Sequence, residues 1–316
     1  MEKTALVLGA TGGIGGEVAR LLLARGWTVK ALHRAPLSAA KQGDGLQWLA
    51  GDAMNRQDVI SAAQGAQLIV HAVNPPGYRN WGALVLPMID NTIAAARASG
   101  ARILLPGTVY NYGPDAFPLI DEESPQNPVT RKGAIRVQME AHLQAAAAEG
   151  VRTLIVRAGD FFGPKAGNSW FAQGLVKPGK PLTAISYPGS VGIGHQWAYL
   201  PDVAETMVRL IEKDDQLETF ARYQMEGHWD ADGTQMVTAI ARAARRPELK
   251  ASAFPWWLLS LASPFVTVFR ELREMRYLWR QPVQMSNRRL VKMLGVEPRT
   301  PLDVAVRSTL DGLGSL

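Results

Sequence analysis

Residues 9–15 read Gly-Ala-Thr-Gly-Gly-Ile-Gly. Glycines at this spacing suit a backbone that turns tightly at Gly9, approaches an anion closely at Gly12, and lets a helix lie against a strand at Gly15. Thr11, Gly13 and Ile14 complete the turn and open a helix, where unpaired amides and the positive dipole end favour a phosphate. The flanks agree with this reading. Residues 4–8 form an apolar run suited to a buried parallel strand, and residues 17–25 carry Val18, Leu21 and Leu22 at helical spacing. Gly26 stops the helix, and residues 27–32 read as a second strand. Strand, glycine turn, helix and strand in this compass form a unit able to bind a dinucleotide.

The end of that second strand bears on which dinucleotide. A site for NAD usually places Asp or Glu there to accept from the ribose 2′-hydroxyl. Here the residues are His33 and Arg34. A guanidinium can grip a 2′-phosphate through two hydrogen bonds, and no carboxylate stands there to repel one. The pattern favours NADP over NAD.

Further chemistry-bearing residues fall after the other apolar runs. Asp52 and Ala53 follow a short strand at 46–49, where Asp52 either reaches an adenine amino group or caps the next helix, 58–63. Ala72, Val73 and Asn74 end a fourth strand, 68–73, at the sheet edge where ligands sit. His71 lies inside that strand and reads as a core histidine. No His, Asp and Glu set has metal-ligand spacing, so no metal is expected. Thr108, Tyr110 and Tyr112 follow a fifth strand, 102–105, and Asp160 follows a sixth, 153–157.

Helices are expected at 84–99 and 134–149, separated by a proline-rich, acidic loop at 115–129 that reads as irregular and superficial. Strands and helices alternating in this way predict an α/β fold, a Rossmann-type doubly wound parallel sheet whose ligand crevice lies at the strand carboxyl ends. The alternation fails after Pro164. A short helix at 168–175, strands at 191–199 and 223–226, and helices at 202–212, 233–244, 286–294 and 301–313 suggest a smaller C-terminal substrate lobe interleaved with the first domain. The expected division is a nucleotide-binding domain at 1–165, rejoined by 191–215, with 166–190 and 216–316 forming the lobe.

With 316 residues, 47% hydrophobic, the chain can bury a large core, and its charge of +6 suits an anionic cofactor or acidic substrate. No Lys/Arg block or recognisable module points to nucleic acid. The absence of cysteine excludes disulfides and thiolate metal sites. Met1 leads almost directly into the first strand, leaving no room for a leader, and a cytoplasmic protein is expected. The most apolar segment, 253–269, is interrupted by Pro264 and by Ser260 and Ser263. It reads as a wall over the substrate or a homodimer contact, rather than a membrane element.

Taken together, these motifs resemble the extended short-chain dehydrogenases/reductases, the nucleotide-sugar epimerase and dehydratase group, in an atypical form. The resemblance rests on G-A-T-G-G-I-G, G-D-A after the third strand and T-V-Y-N-Y-G after the fifth. It continues in R-A-G-D-F-F-G-P after the sixth strand, where the family tends to have R-P-x-N-x-Y-G-P, and in Y-L-P-D-V-A at 199–204. The resemblance implies a catalytic Ser/Thr, Tyr and Lys, with the lysine holding the nicotinamide ribose and lowering the tyrosine pKa. A phenol needs that help because its ordinary pKa is near 10. Thr108 falls at the Ser/Thr position. Counting back from Glu140 puts Arg136 at the lysine and Lys132 at the tyrosine, so the family's Y-x-x-x-K is here K-G-A-I-R. A family asparagine on the fourth helix is replaced by Val85.

Two readings follow. In one, the chain is an NADP-dependent oxidoreductase or epimerase-like enzyme for a small carbonyl or hydroxyl substrate. Thr108 then binds the substrate oxygen, Arg136 holds ribose or phosphate, and Lys132, Tyr110 or Tyr112 supplies the proton. In the other, Lys132 and Arg136 stand on an exposed helix face without a catalytic role. The chain is then a silent NADP(H)-binding regulatory protein.

Overall fold

The computed structural model describes residues 3–39, 44–75, 81–167, 169–257 and 273–316. They form two compact units, Met1–Thr108, Arg131–Arg157 and Ala204–Tyr223 in the first, and Val109–Thr130, Ala158–Val203 and Gln224–Leu316 in the second. The strands in chain order are β1 (Thr4–Leu8), β2 (Thr28–His33), β3 (Gln47–Ala50), β4 (Leu68–His71), β5 (Arg102–Gly107), β6 (Leu119–Ile120) and β7 (Thr153–Arg157). They continue as β8 (Asp160–Phe162), β9 (Ile185–Tyr187), β10 (His195–Tyr199), β11 (Phe220–Gln224), β12 (His228–Asp230), β13 (Ala251–Ala253) and β14 (Gln284–Met285). The α-helices are α1 (Gly13–Ala24), α2 (Pro36–Ala39), α3 (Arg56–Ala62), α4 (Trp81–Ser99), α5 (Arg131–Ala148), α6 (Leu200–Ile211), α7 (Gln235–Ala243), α8 (Arg288–Leu294) and α9 (Leu302–Gly312).

The first unit is built on a seven-stranded sheet in the order β11-β7-β5-β4-β1-β2-β3. Pairing is parallel between β1 and β2, β1 and β4, β2 and β3, β4 and β5, and β5 and β7. The order reverses at β1, so the loops after β1 and β4 leave the sheet on either side of a switch point, where an open α/β sheet forms its ligand crevice. Burial explains the apolar runs. Ala5, Leu6 and Val7 are fully buried, as are Ile69, Val70, Ile103 and Leu104, which parallel strands covered on both faces require. Leu6, Ile69, Ile89, Ile103 and Leu143 belong to one core between sheet and helices.

Several expectations are corrected. The strand expected at 223–226 in the smaller lobe is Phe220–Gln224, and it forms the edge of the main sheet. Its approach is fixed by a buried cation that composition alone cannot place. Arg102 Nη1 donates to the carbonyls of Thr153, at 3.2 Å, and Glu218, at 2.9 Å, while Nε pairs with Asp214. The helix expected from 84 begins at Trp81 and continues through Pro87. α5 begins at Arg131, three residues before the expected start, which brings Lys132 inside the helix.

The second unit contains the sheet β12-β10-β8 and two two-stranded ladders, β13 with β9 and β14 with β6. The segment after β7 adds a further strand, β8, which pairs in parallel with β10. Only His195–Tyr199 of the strand expected at 191–199 is extended. The acidic loop at 115–129 is neither wholly irregular nor superficial. It contributes β6, and Glu122 is buried, accepting from the Gln224 amide at 2.8 Å. Burial raises the Glu122 pKa, and the amide bond opposes that rise. An aromatic and aliphatic core, including Phe162, Trp170, Phe171, Trp197 and Trp279, holds this unit together. Asn168 and most of the apolar segment 253–269 lie outside the described residues. Among the described residues no helix is long and apolar enough to cross a membrane, and no group of three or more His, Asp or Glu could hold a metal.

Candidate functional site

The glycine turn is built as its chemistry requires. Gly9 has φ +92°, and a Cβ there would stand 2.5 Å from the Ala72 carbonyl oxygen and 2.9 Å from the Val73 amide nitrogen. A Cβ on Gly15 would stand 2.3 Å from the Gly9 oxygen. Contacts this short forbid a side chain at either position, so the turn lies directly against the end of β4. The structure therefore brings together Gly9, Gly15, Ala72 and Val73. Gly12 is the N-cap of α1, with no side-chain cap and no acidic residue in the first turn. Gly13 and Ile14 form that turn, and Thr11 is exposed beside it. An uncapped helix start with close-packed glycines fits a diphosphate, which would accept from these amides.

At the neighbouring strand ends, His33 accepts from the Ala35 amide through Nδ1 at 3.1 Å and turns its ring edge to Trp48 at 6.0 Å. Arg34 is exposed immediately after β2. Its position leaves the guanidinium accessible to an anion in solvent. Asp52 accepts from the Met54 amide at 2.9 Å, while Asn55 caps α3 by accepting from Gln57 and Asp58. The capping alternative for Asp52 is thus not realised. The Ala53 carbonyl accepts from Asn91 of α4 at 2.9 Å, which fixes this loop to the helix packed beside it.

The catalytic candidates of the first unit are Thr108 and two residues of α5. Thr108 is half-buried just past β5. Lys132 is 5% exposed and Arg136 is half-buried, so the exposed-face reading of this pair is wrong. The physical reason is helical phase. Lys132, Arg136 and Glu140 recur every four residues on a stripe shared with buried Ile135, Met139 and Leu143. Glu140 is itself buried and binds Arg157 through both carboxylate oxygens, at 2.9 and 2.8 Å, while Arg157 Nη1 donates to the Thr108 carbonyl.

Arg136 lies over the Trp81 ring, 5.1 Å from its centroid, and Trp81 Nε1 donates to Asn74 Oδ1 at 2.8 Å. The candidate Asn74 after β4 is thereby linked to the candidate Arg136 on α5 through a tryptophan that the sequence reading did not single out. Its one available signal was a large aromatic residue just before the expected start of α4. His71 is buried and bonded at Nδ1 to Thr92 Oγ1 at 2.8 Å. Thr92 gives its own proton to the Met88 carbonyl at 3.0 Å, so His71 Nδ1 is the donor and the ring is neutral. Burial first, and the nearby Arg136 second, pull its pKa down to about 3.

The remaining candidates lie in the second unit. Tyr110 is half-buried in a 3-10 turn and packs against that unit's core. Tyr112 is 1% exposed, and its hydroxyl accepts from Gln224 Nε2 at 3.0 Å, which places it in the core rather than at an open surface. Asp160, on β8, is buried and bonded to His195, a residue absent from the sequence reading.

Comparison with known proteins accords with this architecture. A Streptomyces protein named 3-diazoavenalumate denitrifying reductase is 30% identical over 177 residues, covering 51% of this chain and 57% of that protein. The chain spans about half the length of the curated relatives it matches. UDP-glucuronic acid 4-epimerase from Bacillus cereus, solved with UDP-glucuronic acid and NAD, superposes with a TM-score of 0.76 at 14% identity, over 98% of each chain. The Bordetella bronchiseptica enzyme WbmH, solved with NAD+, superposes with a TM-score of 0.71 at 17% identity, over 99% of this chain and 98% of that one. At these identities the solved structures establish the fold. The sequence description of one family runs from residue 5 to residue 225, from the first strand through the edge strand of the main sheet, and the chain belongs to the NAD dependent epimerase/dehydratase family.

Proposed function

We propose that this chain is an NADP-preferring oxidoreductase or epimerase/dehydratase-like enzyme acting on a small carbonyl or hydroxyl substrate, with an altered acid–base set. The observation that carries the reading is the uncapped start of α1 packed through Gly9 and Gly15 on the end of β4, with Arg34 and no carboxylate directly after β2. NAD in the Bacillus cereus and Bordetella relatives supports the coenzyme class, and Arg34 supports the phosphorylated form.

When bound, the coenzyme supplies or accepts hydride. The first-turn amides of α1 hold its diphosphate, and Arg34 pairs with the 2′-phosphate. Thr108 donates to the substrate oxygen. Lys132 gives or takes the proton, and Arg136, seated over Trp81, holds the ribose hydroxyls. Burial of Lys132 supports a role other than that of a solvated surface charge.

A second reading, an NADP(H)-binding regulatory protein without turnover, is favoured by K-G-A-I-R in place of Y-x-x-x-K. One experiment separates the two. The whole chain is titrated with NADPH and NADH by calorimetry and then assayed with NADPH on a panel of carbonyl compounds. The enzyme reading expects tighter NADPH than NADH binding, a preference lost in Arg34→Ala, and turnover lost in Thr108→Ala and Lys132→Ala. NADPH binding without turnover favours the regulatory reading, and no binding of either coenzyme overturns both.

A further inference from the structure

Trp81 is the first residue of α4, and its side chain is buried. Both the face and the edge of its ring are in use. The Arg136 guanidinium lies over the face, 5.1 Å from the centroid, and the edge donates from Nε1 to Asn74 Oδ1 at 2.8 Å. One side chain thus joins the end of β4, the start of α4 and the stripe of α5 that carries Lys132, all within the first unit. The start of α4 lies against α5 here, since a Cβ on Gly82 would touch Ile135 Cδ1 at 3.6 Å.

The indole settles which way the Asn74 carboxamide points. An indole N–H only donates, so the atom it meets is oxygen, and Nδ2 is directed elsewhere. Asn74 is exposed, and its Nδ2 has no hydrogen-bond partner among the described residues. It stands two residues past Ala72, against which the glycine turn packs. Arg136 lies near the same strand end, where its charge adds to burial in lowering the His71 pKa. A guanidinium is flat and weakly hydrated, so it suits an aromatic face, and its N–H groups bond from the rim.

We propose that Trp81 is a positioning residue for the coenzyme, presenting the Arg136 guanidinium and the Asn74 Nδ2 donor together to acceptor oxygens of the bound dinucleotide. The two groups act as one unit, because loosening the indole releases both. A tryptophan with only a packing role would support folding and leave them independent. The proposal rests on the coenzyme reading and deepens it by naming the residue that organises these two polar contacts.

The test reads NADPH affinity by calorimetry and stability by urea unfolding, on variants of the whole chain. Trp81→Phe keeps the ring face and loses the N–H donor. It should weaken NADPH binding about threefold in the otherwise unaltered chain and not at all in Asn74→Ala. Trp81→Leu removes the face as well. Going from Trp81→Phe to Trp81→Leu should cost about a further tenfold with Arg136 in place and nothing in Arg136→Met. Losses of equal size in both backgrounds, or a lower unfolding midpoint with unchanged affinity, overturn the proposal. If Trp81→Leu does not fold, Trp81→Phe with and without Asn74→Ala decides. An unaltered chain that binds neither NADPH nor NADH removes the coenzyme reading and this proposal together, whereas binding with equal losses removes this proposal alone.

Discussion

Arg157 and Glu140 form a two-pronged ion pair in the interior of the first unit, with Nη2 donating to both carboxylate oxygens at 2.9 and 2.8 Å. The same guanidinium donates from Nη1 to the Thr108 carbonyl. One side chain at the end of β7 therefore sets the phase of α5, which carries Lys132 and Arg136, and fixes the backbone at Thr108. Each side chain of the pair is 6% exposed or less. Removing the guanidinium takes two charge-assisted hydrogen bonds from a buried carboxylate, and Arg157→Met is expected to lower stability by about 3–5 kcal/mol. Adding Glu140→Leu to that variant should recover part of the loss, because the buried carboxylate that lost the guanidinium is then gone. Urea unfolding of both variants checks this. A double variant no more stable than Arg157→Met refutes it.

The glycine turn separates folding from coenzyme binding. A Cβ on Gly15 meets backbone at 2.3 Å, whereas one on Gly12 meets only the Gly9 oxygen at 3.3 Å. Gly15→Ala is expected to destabilise the protein by several kcal/mol, as overpacking against backbone does. Gly12→Ala should cost less than about 1 kcal/mol of stability. It should nevertheless weaken NADPH binding about tenfold or more, since its methyl group enters the approach of the diphosphate. Thermal unfolding and calorimetry on the same two variants report the two effects independently.

His71 gives the first unit an acid-sensitive component. Its pKa falls from the ordinary 6.5 to about 3 because burial, reinforced by Arg136, disfavours the charged ring. Between those values the unfolded chain binds a proton that the native state does not, so stability is lost as pH falls from 6.5 toward 3 and levels out below. The loss is roughly tenfold in the folding equilibrium constant per pH unit. His71→Asn keeps a donor near Thr92 without the titration. Denaturant midpoints across this range should therefore fall less steeply for the variant than for the parent. A residual slope is expected from His228, whose pKa burial lowers to about 4.

Glu297 in the second unit has the opposite sign. Burial raises its pKa above the ordinary 4.5, although it accepts from the Glu226 and Gly227 amides and from Asn287. Between the ordinary and the raised value the native state holds the proton more tightly, so this group's contribution to stability falls as pH rises through that interval. Glu297→Gln is expected to remove that slope. It should also lower stability at every pH, because a carboxamide cannot accept from both amides with two oxygens. Equal pH slopes for parent and variant would count against the assignment.

The elements that the sequence specified by itself are those whose signals are local. β1 and β7 coincide with the apolar runs at 4–8 and 153–157, and the glycine turn, α1 and β2 follow in order, because strand burial and turn geometry are written within a few neighbouring residues. The glycine spacing and the missing Tyr-Lys pair are legible for the same reason. What tertiary structure alone decided involves partners far apart in the chain. β6 is two residues long and exists only by pairing with β14, more than 160 residues later. β11 joins the main sheet because Arg102 and Thr153 bind the segment that leads into it. Lys132 is buried because Glu140, two turns along the same stripe, is tied to Arg157, and the Asp160–His195 pair depends on β8 lying beside β10. Side-chain spacing fixes which residues share a face, but whether that face meets solvent or another element is settled by long-range packing, which no short window of sequence contains.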